Sequence, residues 1–350
     1  MERSLKFGAT LIPVVRRKAC AGCGACVASC PVEVLDYDHE AYTPKIVGKC
    51  VGCGICSSVC PRYELDLPEL ERAFFGRERE PDEEFGVHRS ILVARAADER
   101  VRAVAQDGGT VSALAITALE SGLARGVLLS GLEEGEPWKP KPVIAKDPET
   151  VLACAGTRYS YSPNDLLLKE LSELPSSALV GTPCHVLAAR RAQALPVYGL
   201  DMTLKLIIGL FCMESFDYKG FVHEFLPKVC GVGPEAIKKV NIKKGRFVID
   251  LADGSTKEVP LEEAKDFVRA GCRICPDFSS ELADVSVGSV GLEGWNLVII
   301  RSAAGEEAVR EAIRRGHLEV REPDERALKV LRKLSRLKRR KAEEALKASS

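Results

Sequence analysis

The sequence predicts a small, cysteine-rich α+β segment followed by a larger α/β domain built on a mixed sheet. Three observations lead there. Eight of the chain's 14 cysteines fall between Cys20 and Cys60. A charged stretch, Glu64 to Glu84, separates them from the rest of the chain. From about Ser90 onward, short apolar runs alternate with helical patterns, the signature of strands connected by helices. A length of 350 residues is enough for about two domains. A hydrophobic fraction of 46% is that of an ordinary protein with a buried core.

Val34–Leu35–Asp36–Tyr37 and Lys45–Ile46–Val47 read as two short strands lying between the groups of cysteines. The charged stretch reads as a short helix and a solvated linker, with Leu65-Asp66-Leu67-Pro68 at its start. In the larger part, Ile91–Val93, Gly126–Leu129, Ala178–Gly181 and Leu204–Leu210 suit buried strands. Thr110–Glu120, Asp165–Leu171 and His185–Ala192 suit the helices between them. Arg246–Leu251 and Ser255–Val259 flank Asp253-Gly254 as a hairpin, and Asp284–Val290 and Trp295–Arg301 add two strands. Ala327 to Lys347 is a basic helix, with Arg332, Lys333, Arg336, Lys338, Arg339, Arg340 and Lys341. The expected division is therefore 1–66, a charged linker at 67–88, an α/β domain at 89–322 and a basic C-terminal helix at 323–350.

Basic and acidic side chains number 50 each, so the whole molecule has no pull toward nucleic acid or anionic membrane. The early apolar run Ala9 to Val15 is broken by Pro13 and followed at once by Arg16, Arg17 and Lys18, unlike a secretory signal. No later run approaches the ~18–20 apolar residues of a membrane span. The expectation is a cytoplasmic protein that reaches the inner face of a membrane only through partner subunits. So many cysteines in that compartment read as metal ligands rather than disulfides. Side-chain amides occur only at Gln106, Asn164, Gln193, Asn241 and Asn296, a depletion that suits a thermophile.

Cys20-x2-Cys23-x2-Cys26-x3-Cys30-Pro31 is repeated as Cys50-x2-Cys53-x2-Cys56-x3-Cys60-Pro61. Three thiolates of such a loop surround one face of a cuboidal cluster, and the fourth, before proline, reaches the other cluster. Gly22, Gly24, Gly52 and Gly54 let the backbone turn tightly. Cys20, Cys23, Cys26 and Cys60 are thus assigned to one 4Fe-4S cluster, and Cys50, Cys53, Cys56 and Cys30 to a second. Zinc sites do not use this doubled run. Over about residues 16–62 the segment resembles bacterial-type dicluster ferredoxins.

A second constellation comprises Cys184 in Gly181-Thr182-Pro183-Cys184-His185, Cys212 in Gly209-Leu210-Phe211-Cys212-Met213-Glu214, and the pair Cys272 and Cys275. Cys184 and Cys212 each follow a strand and emerge on the ligand-gathering edge of the sheet. By residue type these four make either a third cluster or two buried thiols beside a redox or zinc half-site. Cys154 and Cys230 read as buried packing. Gln106-Asp107-Gly108-Gly109-Thr110 opens a helix, where free N–H groups suit an anion or Thr110 serves as a cap.

Together, Gln106–Ser112, Gly156–Tyr159, Gly181–His185, Gly209–Phe216, Cys272–Asp277 and Asp284–Asn296 resemble the motifs of the family of coenzyme F420 hydrogenase/dehydrogenase beta subunits. The order of parts, dicluster region before flavin domain, is similar to that of the electron-input subunits in its F420H2 dehydrogenase branch. Related fusions occur in its formate dehydrogenases and sulfite reductases. The resemblance implies an archaeal, anaerobic oxidoreductase whose α/β domain binds FAD and a third 4Fe-4S cluster on Cys184, Cys212, Cys272 and Cys275. It implies reduced coenzyme F420 as substrate and other subunits of a redox complex as partners. Gly108, Gly109, Thr110, Thr157, Arg158, Tyr159, Thr182 and Ser289 are the residues expected near FAD, with Arg158 and Lys205 as candidates for the acidic groups of coenzyme F420. No side chain is expected to act as acid or base. His185 is expected to pack around the cluster, and the C-terminal helix to dock on an acidic partner. The competing class is a flavin-free iron–sulfur electron adapter.

Overall fold

The computed structural model describes residues 5–196 and 199–348. The run Ala9–Val15 lies within a helix, Phe7–Arg16, and Pro13 does not end it. Pro13 lacks one helical N–H, but its carbonyl still accepts from Arg17 N at 3.1 Å. Phe7, Leu11 and Val14, spaced on one face, are buried. Two short helices, Ala25–Ala28 and Ile55–Ser58, follow the two glycine-bearing cysteine loops. Between them β1 (Leu35–Asp38) pairs antiparallel with β2 (Thr43–Ile46). Gly22, Gly24, Gly52 and Gly54 all have positive φ, as the tight turns expected of them require. The helix Leu67–Phe75 is capped by the Asp66 carboxylate, which accepts from Glu69 N at 3.0 Å.

The large sheet contains β3 (Ser90–Ala96), β4 (Val127–Leu132), β5 (Pro140–Ala145), β6 (Ser177–Gly181) and β7 (Leu204–Leu210). A separate antiparallel sheet is formed by β8 (Ile237–Lys243), β9 (Arg246–Leu251) and β10 (Thr256–Pro260). The large sheet is completed by β11 (Val285–Gly288), β12 (Asn296–Ile300) and β13 (Leu318–Arg321). Its order is β13-β3-β12-β11-β7-β6-β4-β5. The central run β11-β7-β6-β4 is parallel, and the strands outside it pair antiparallel. The sheet is mixed, as its sequence pattern implied.

Alternation within the strands supplies both faces. Val127, Leu129, Ala178, Val180, Ile208, Val298 and Ile300 turn to one side, against helices Thr110–Glu120 and Ala303–Arg314. Leu128, Leu179 and Ile207 turn to the other, and there they pack with Phe7, Leu11, Val14, Cys23 and Cys26. The cysteine segment is therefore one of the layers covering the sheet. The small sheet has its own core, in which Phe216, Phe221, Phe225 and Phe247 meet.

The stretch expected as a solvated linker, 67–88, is held closely. Glu71 is buried and binds Arg79, which also reaches Glu281 at 2.5 Å. Phe85 and Val87 are buried, and Arg301, itself buried, donates to the Val87 carbonyl at 2.9 Å. The C-terminal helix, Glu325–Ala348, lays Ala327, Leu331, Ser335, Lys338 and Ala342 inward. Arg339 binds Glu281 at 2.7 Å and Arg336 binds Glu84, so this helix docks on its own chain along that face.

Candidate functional site

All fourteen cysteines are free thiols. Cys20, Cys23, Cys26 and Cys60 line one hollow of the N-terminal segment, and Cys30, Cys50, Cys53 and Cys56 line another. This is the crossed grouping that the two cysteine runs imply. Burial raises the Cys26 thiol, and its neighbours Cys60, Cys20 and Cys56 raise it further. Burial and then Cys53 push Cys56 up to about 12. Thiols packed this way stay protonated unless cationic iron stands among them, since a coordinating thiol is deprotonated outright. Among the described residues no three such groups converge as a single metal ion needs. The cysteines surround a volume instead, and a cuboidal cluster fits that disposition.

The second constellation converges as well. Cys184 follows β6 and Cys212 follows β7, both at the carboxyl edge of the parallel strands. Burial raises Cys184, with Cys275 and Cys272 as its thiol neighbours. Burial likewise raises Cys212, whose thiol neighbours are Cys272, Cys184 and Cys275. Two cations enter from outside the α/β domain. Arg62, from the cysteine segment, donates to the Gly271 carbonyl at 3.3 Å and lies against Cys275. Its Nε is buried with no hydrogen-bond partner among the described residues, a donor that a cluster sulfur would satisfy. Lys338, from the C-terminal helix, donates to the Met213 carbonyl. Burial works against its ammonium, but Cys275, Cys212 and Cys272 together with Glu214 outweigh it and hold its pKa above the usual lysine value.

Tyr161 Oη and Thr182 Oγ1 lie 3.2 and 3.3 Å from Cys184 Sγ. His185 is buried, stacks on Tyr161 and has its pKa pushed down to about 3 by that burial. In the neutral ring Nε2–H donates to the Ser162 carbonyl at 2.9 Å, and Nδ1 accepts from Thr182 N at 3.2 Å. It packs and orients, as its position beside Cys184 suggested.

The two halves touch where the sites meet. Gly271 sits so close to the first cysteine loop that a Cβ there would lie 2.2 Å from the Cys20 carbonyl oxygen. Arg269 stacks over Tyr161 at 3.9 Å and donates to the Ala21 carbonyl at 2.8 Å. Asp165 N donates to the Cys23 carbonyl at 3.0 Å, and Cys184 is an electrostatic neighbour of Cys23. The four-cysteine sites thus stand in series: the Cys184 site beside Cys23, and Cys26 of that loop beside Cys56.

The residues expected near FAD are divided. Gly108, Gly109 and Thr110 are buried, and Gly109, not Thr110, occupies the cap position of the helix. Thr110 donates its hydroxyl to Ala94 O at 3.0 Å and its amide to Asn296 Oδ1 at 3.3 Å. Arg158 donates to the Cys154 and Ala155 carbonyls at 2.9 and 2.7 Å, closing the end of helix Pro148–Ala153. Lys205 lies at the amino end of β7, opposite the edge that bears Cys212. Thr182 belongs with Cys184. Thr157, Tyr159 and Ser289 do gather: Thr157 N donates to Gln106 Oε1 at 3.2 Å, Ser289 hydrogen-bonds Asp107, and Asp107 neighbours Tyr159.

Sequence reasoning missed Asn241, Lys239 and Lys243, which β8 brings to the same place. Gln106 Nε2 donates to Asn241 Oδ1 at 2.5 Å, and both lysines face Asp107. The lysine-rich run Ile-Lys-Lys-Val-Asn-Ile-Lys was the available signal. Next along the chain, Ser160 Oγ and Ser162 Oγ are buried with no partner among the described residues, and the Ser162 carbonyl accepts from His185 beside Cys184. Orphaned buried hydroxyls suit a ligand rich in hydrogen-bonding groups, as a flavin is.

Fold and site define an iron–sulfur redox protein with a cysteine-lined α/β domain. Residues 13–65 match the 4Fe-4S dicluster domain. Residues 91–169 and 175–326 match the N-terminal and C-terminal parts of the coenzyme F420 hydrogenase/dehydrogenase beta subunit. The chain belongs to that family. It is 36% identical to the coenzyme F420 hydrogenase subunit beta of Methanothermobacter thermautotrophicus, over 75% of this chain and 95% of that one. It is 31% identical to an F420H2 dehydrogenase subunit of Methanosarcina mazei, over 93% of this chain and 91% of that one, cysteine segment included. A chain of the F420-reducing [NiFe] hydrogenase complex from Methanosarcina barkeri superposes with a TM-score of 0.73 at 33% identity, covering 77% of this chain and 95% of that chain. No helix among the described residues is long and apolar enough to cross a membrane.

Proposed function

We propose that this chain is the electron-input subunit of a multisubunit redox complex, oxidising reduced coenzyme F420 and releasing electrons singly to a partner. Bound FAD would supply the conversion of a two-electron hydride donor into single electrons. Thr157, Tyr159, Ser289, Gln106 and Asp107 would line its site, with Ser160 and Ser162 as further hydrogen-bonding groups. Lys239 and Lys243, rather than Arg158 or Lys205, would meet the acidic groups of coenzyme F420. Cys184, Cys212, Cys272 and Cys275 would hold the cluster of this domain; Cys20, Cys23, Cys26 and Cys60 the next; Cys50, Cys53, Cys56 and Cys30 the last.

The observation that carries this reading is the series of three four-cysteine sites, joined at Gly271–Cys20 and Cys184–Cys23. Its far end opens outward. Cys53 is exposed, and Val32 and Val51 beside it are 43% and 62% exposed, a surface suited to another protein of the complex. Similarity to the F420H2 dehydrogenase relative through the cysteine segment supports the same direction of flow.

The test is anaerobic purification, cofactor extraction and mixing with reduced coenzyme F420 and a viologen dye. About twelve iron atoms per chain, FAD and dye reduction are expected. Absence of FAD would leave an iron–sulfur adapter; about eight iron atoms would remove the third cluster.

A further inference from the structure

We infer that Arg62 and Lys338 act as two fixed, buried cations that set the reduction potential of a cluster held by Cys184, Cys212, Cys272 and Cys275. One is supplied by the cysteine segment and the other by the C-terminal helix. The inference rests on reading those four cysteines as cluster ligands. A thiolate-ligated cluster is anionic and gains a further negative charge on reduction, so nearby positive charge favours its reduced form. In a dry site that effect is far larger than in water.

Lys338 occupies a core-facing position of its helix at 4% exposure, where apolar residues would ordinarily sit. Its bonded partner is the carbonyl of Met213, one residue beyond Cys212. Glu214, the nearest carboxylate along the chain, is bound to Lys265 at 2.5 Å. The helix Ala270–Arg273, which carries Cys272, packs against the C-terminal helix. Arg339 on Glu281 and Arg336 on Glu84 fix the helix register and so the place of the ammonium. Arg62 follows Cys60 by two residues, spans to Gly271 and keeps its Nε buried without a partner. Burying a cation without a full counter-charge is costly, and Glu214, the carboxylate that acts on Lys338, is already bound to Lys265. A cluster between the two side chains removes that cost.

The experiment is a redox titration of the anaerobically purified full chain, following each cluster by electron paramagnetic resonance, with iron content measured in parallel. Lys338→Met is expected to keep about twelve iron atoms. It is expected to lower the ratio of reduced to oxidised third cluster about tenfold at fixed poise, which is about 59 mV for one electron. The other two midpoints stay in place. Arg62→Met is expected to lower the third midpoint and, because Arg62 also neighbours Cys20 and Cys60, that of their cluster as well, whereas Lys338→Arg restores the wild-type potential. An unmoved third midpoint in a fully loaded Lys338→Met overturns the inference and leaves the cluster reading intact. About eight iron atoms in the wild type overturn both. If Lys338→Met loses the third cluster, Lys338→Arg decides. Retention there supports charge, and loss in both variants shows a requirement of fit and overturns it.

Discussion

Replacing Gly271 by alanine tests the junction between the two halves most directly. The new Cβ would lie 2.2 Å from Cys20 O, 3.0 Å from Cys20 C and 3.4 Å from Ala19 O. All three are backbone atoms, so no side chain can rotate away, and the loops must part by about 1 Å to restore normal contact. Overpacking of this kind costs about 1–3 kcal/mol. Unfolding entropy of about 2.1 cal/mol/K per residue makes the expected fall in midpoint roughly 1.5–4 °C for this chain. Gly8 is the control: it lies exposed in helix Phe7–Arg16 with nothing within 4 Å of an added Cβ. Gly8→Ala should therefore raise stability, by up to about 1 kcal/mol. The assay is anaerobic thermal unfolding followed by cluster absorbance, with the spin coupling between clusters as a gauge of their separation. A Gly271→Ala protein with wild-type midpoint and coupling would refute the close approach; equal losses in both variants would refute the contrast.

Three further outcomes are expected in other parts of the fold. His185 has a pKa near 3 when folded, below its value of about 6.5 when unfolded, so its stabilising share is present above pH 6.5 and lost as pH falls. By pH 5 that loss is about 2 kcal/mol, and His185→Asn should flatten this acid limb when denaturant midpoints at pH 7.5 and 5 are compared. Asp284 and Arg190 form a buried ion pair of 2.8 Å at the amino end of β11, away from the cysteines. Asp284→Ala should cost about 3–5 kcal/mol in chemical unfolding while leaving cluster midpoints unchanged. Cys272→Ser should reduce iron content from about twelve to about eight per chain and remove one of three paramagnetic signals.

Legibility in the sequence tracked position in the sheet, strand by strand. β3, β4, β6, β7, β11 and β12 were all marked by apolar runs, because each lies inside the sheet and is buried on both faces. The three strands that escaped notice, β5, β8 and β13, are edge strands. Edges are protected by charge and proline, so Pro140-Lys141-Pro142 and Leu318-Glu319-Val320-Arg321 carry little apolar signal. The cysteine groupings were legible because ligand spacing is local along the chain. The flavin-side residues were less so: Gly108 to Thr110 and Arg158 have the right residue types, but Thr110 is held by Ala94 and Asn296 and Arg158 turns back onto the Cys154 and Ala155 carbonyls. Only tertiary structure brings Lys239 and Lys243 to Asp107 and Asn241 to Gln106, with Lys239 bonded to Ala105 O and Lys243 paired with Glu293.

The same contrast explains why the 67–88 stretch and the C-terminal helix read as solvated. Their charges are real, but Glu71, Arg79, Glu281 and Arg339 neutralise one another across segments far apart in sequence. The five amides make a related point. Asn164 donates to Val180 O, Gln193 to Leu204 O and Gln106 to Asn241, while Asn296 accepts from Thr110 N. Each amide ties two elements together, which is where a chain otherwise depleted in amides has use for a side chain that donates and accepts without charge. The cysteine segment obeys the same logic on a larger scale. It covers Leu128 and Leu179 of the sheet, receives Arg269 and Asp165 on its loops, and sends Arg62 to the third cysteine site. An appended electron wire would need none of these contacts. A segment whose backbone meets Gly271 without room for a methyl group forms part of the domain's core.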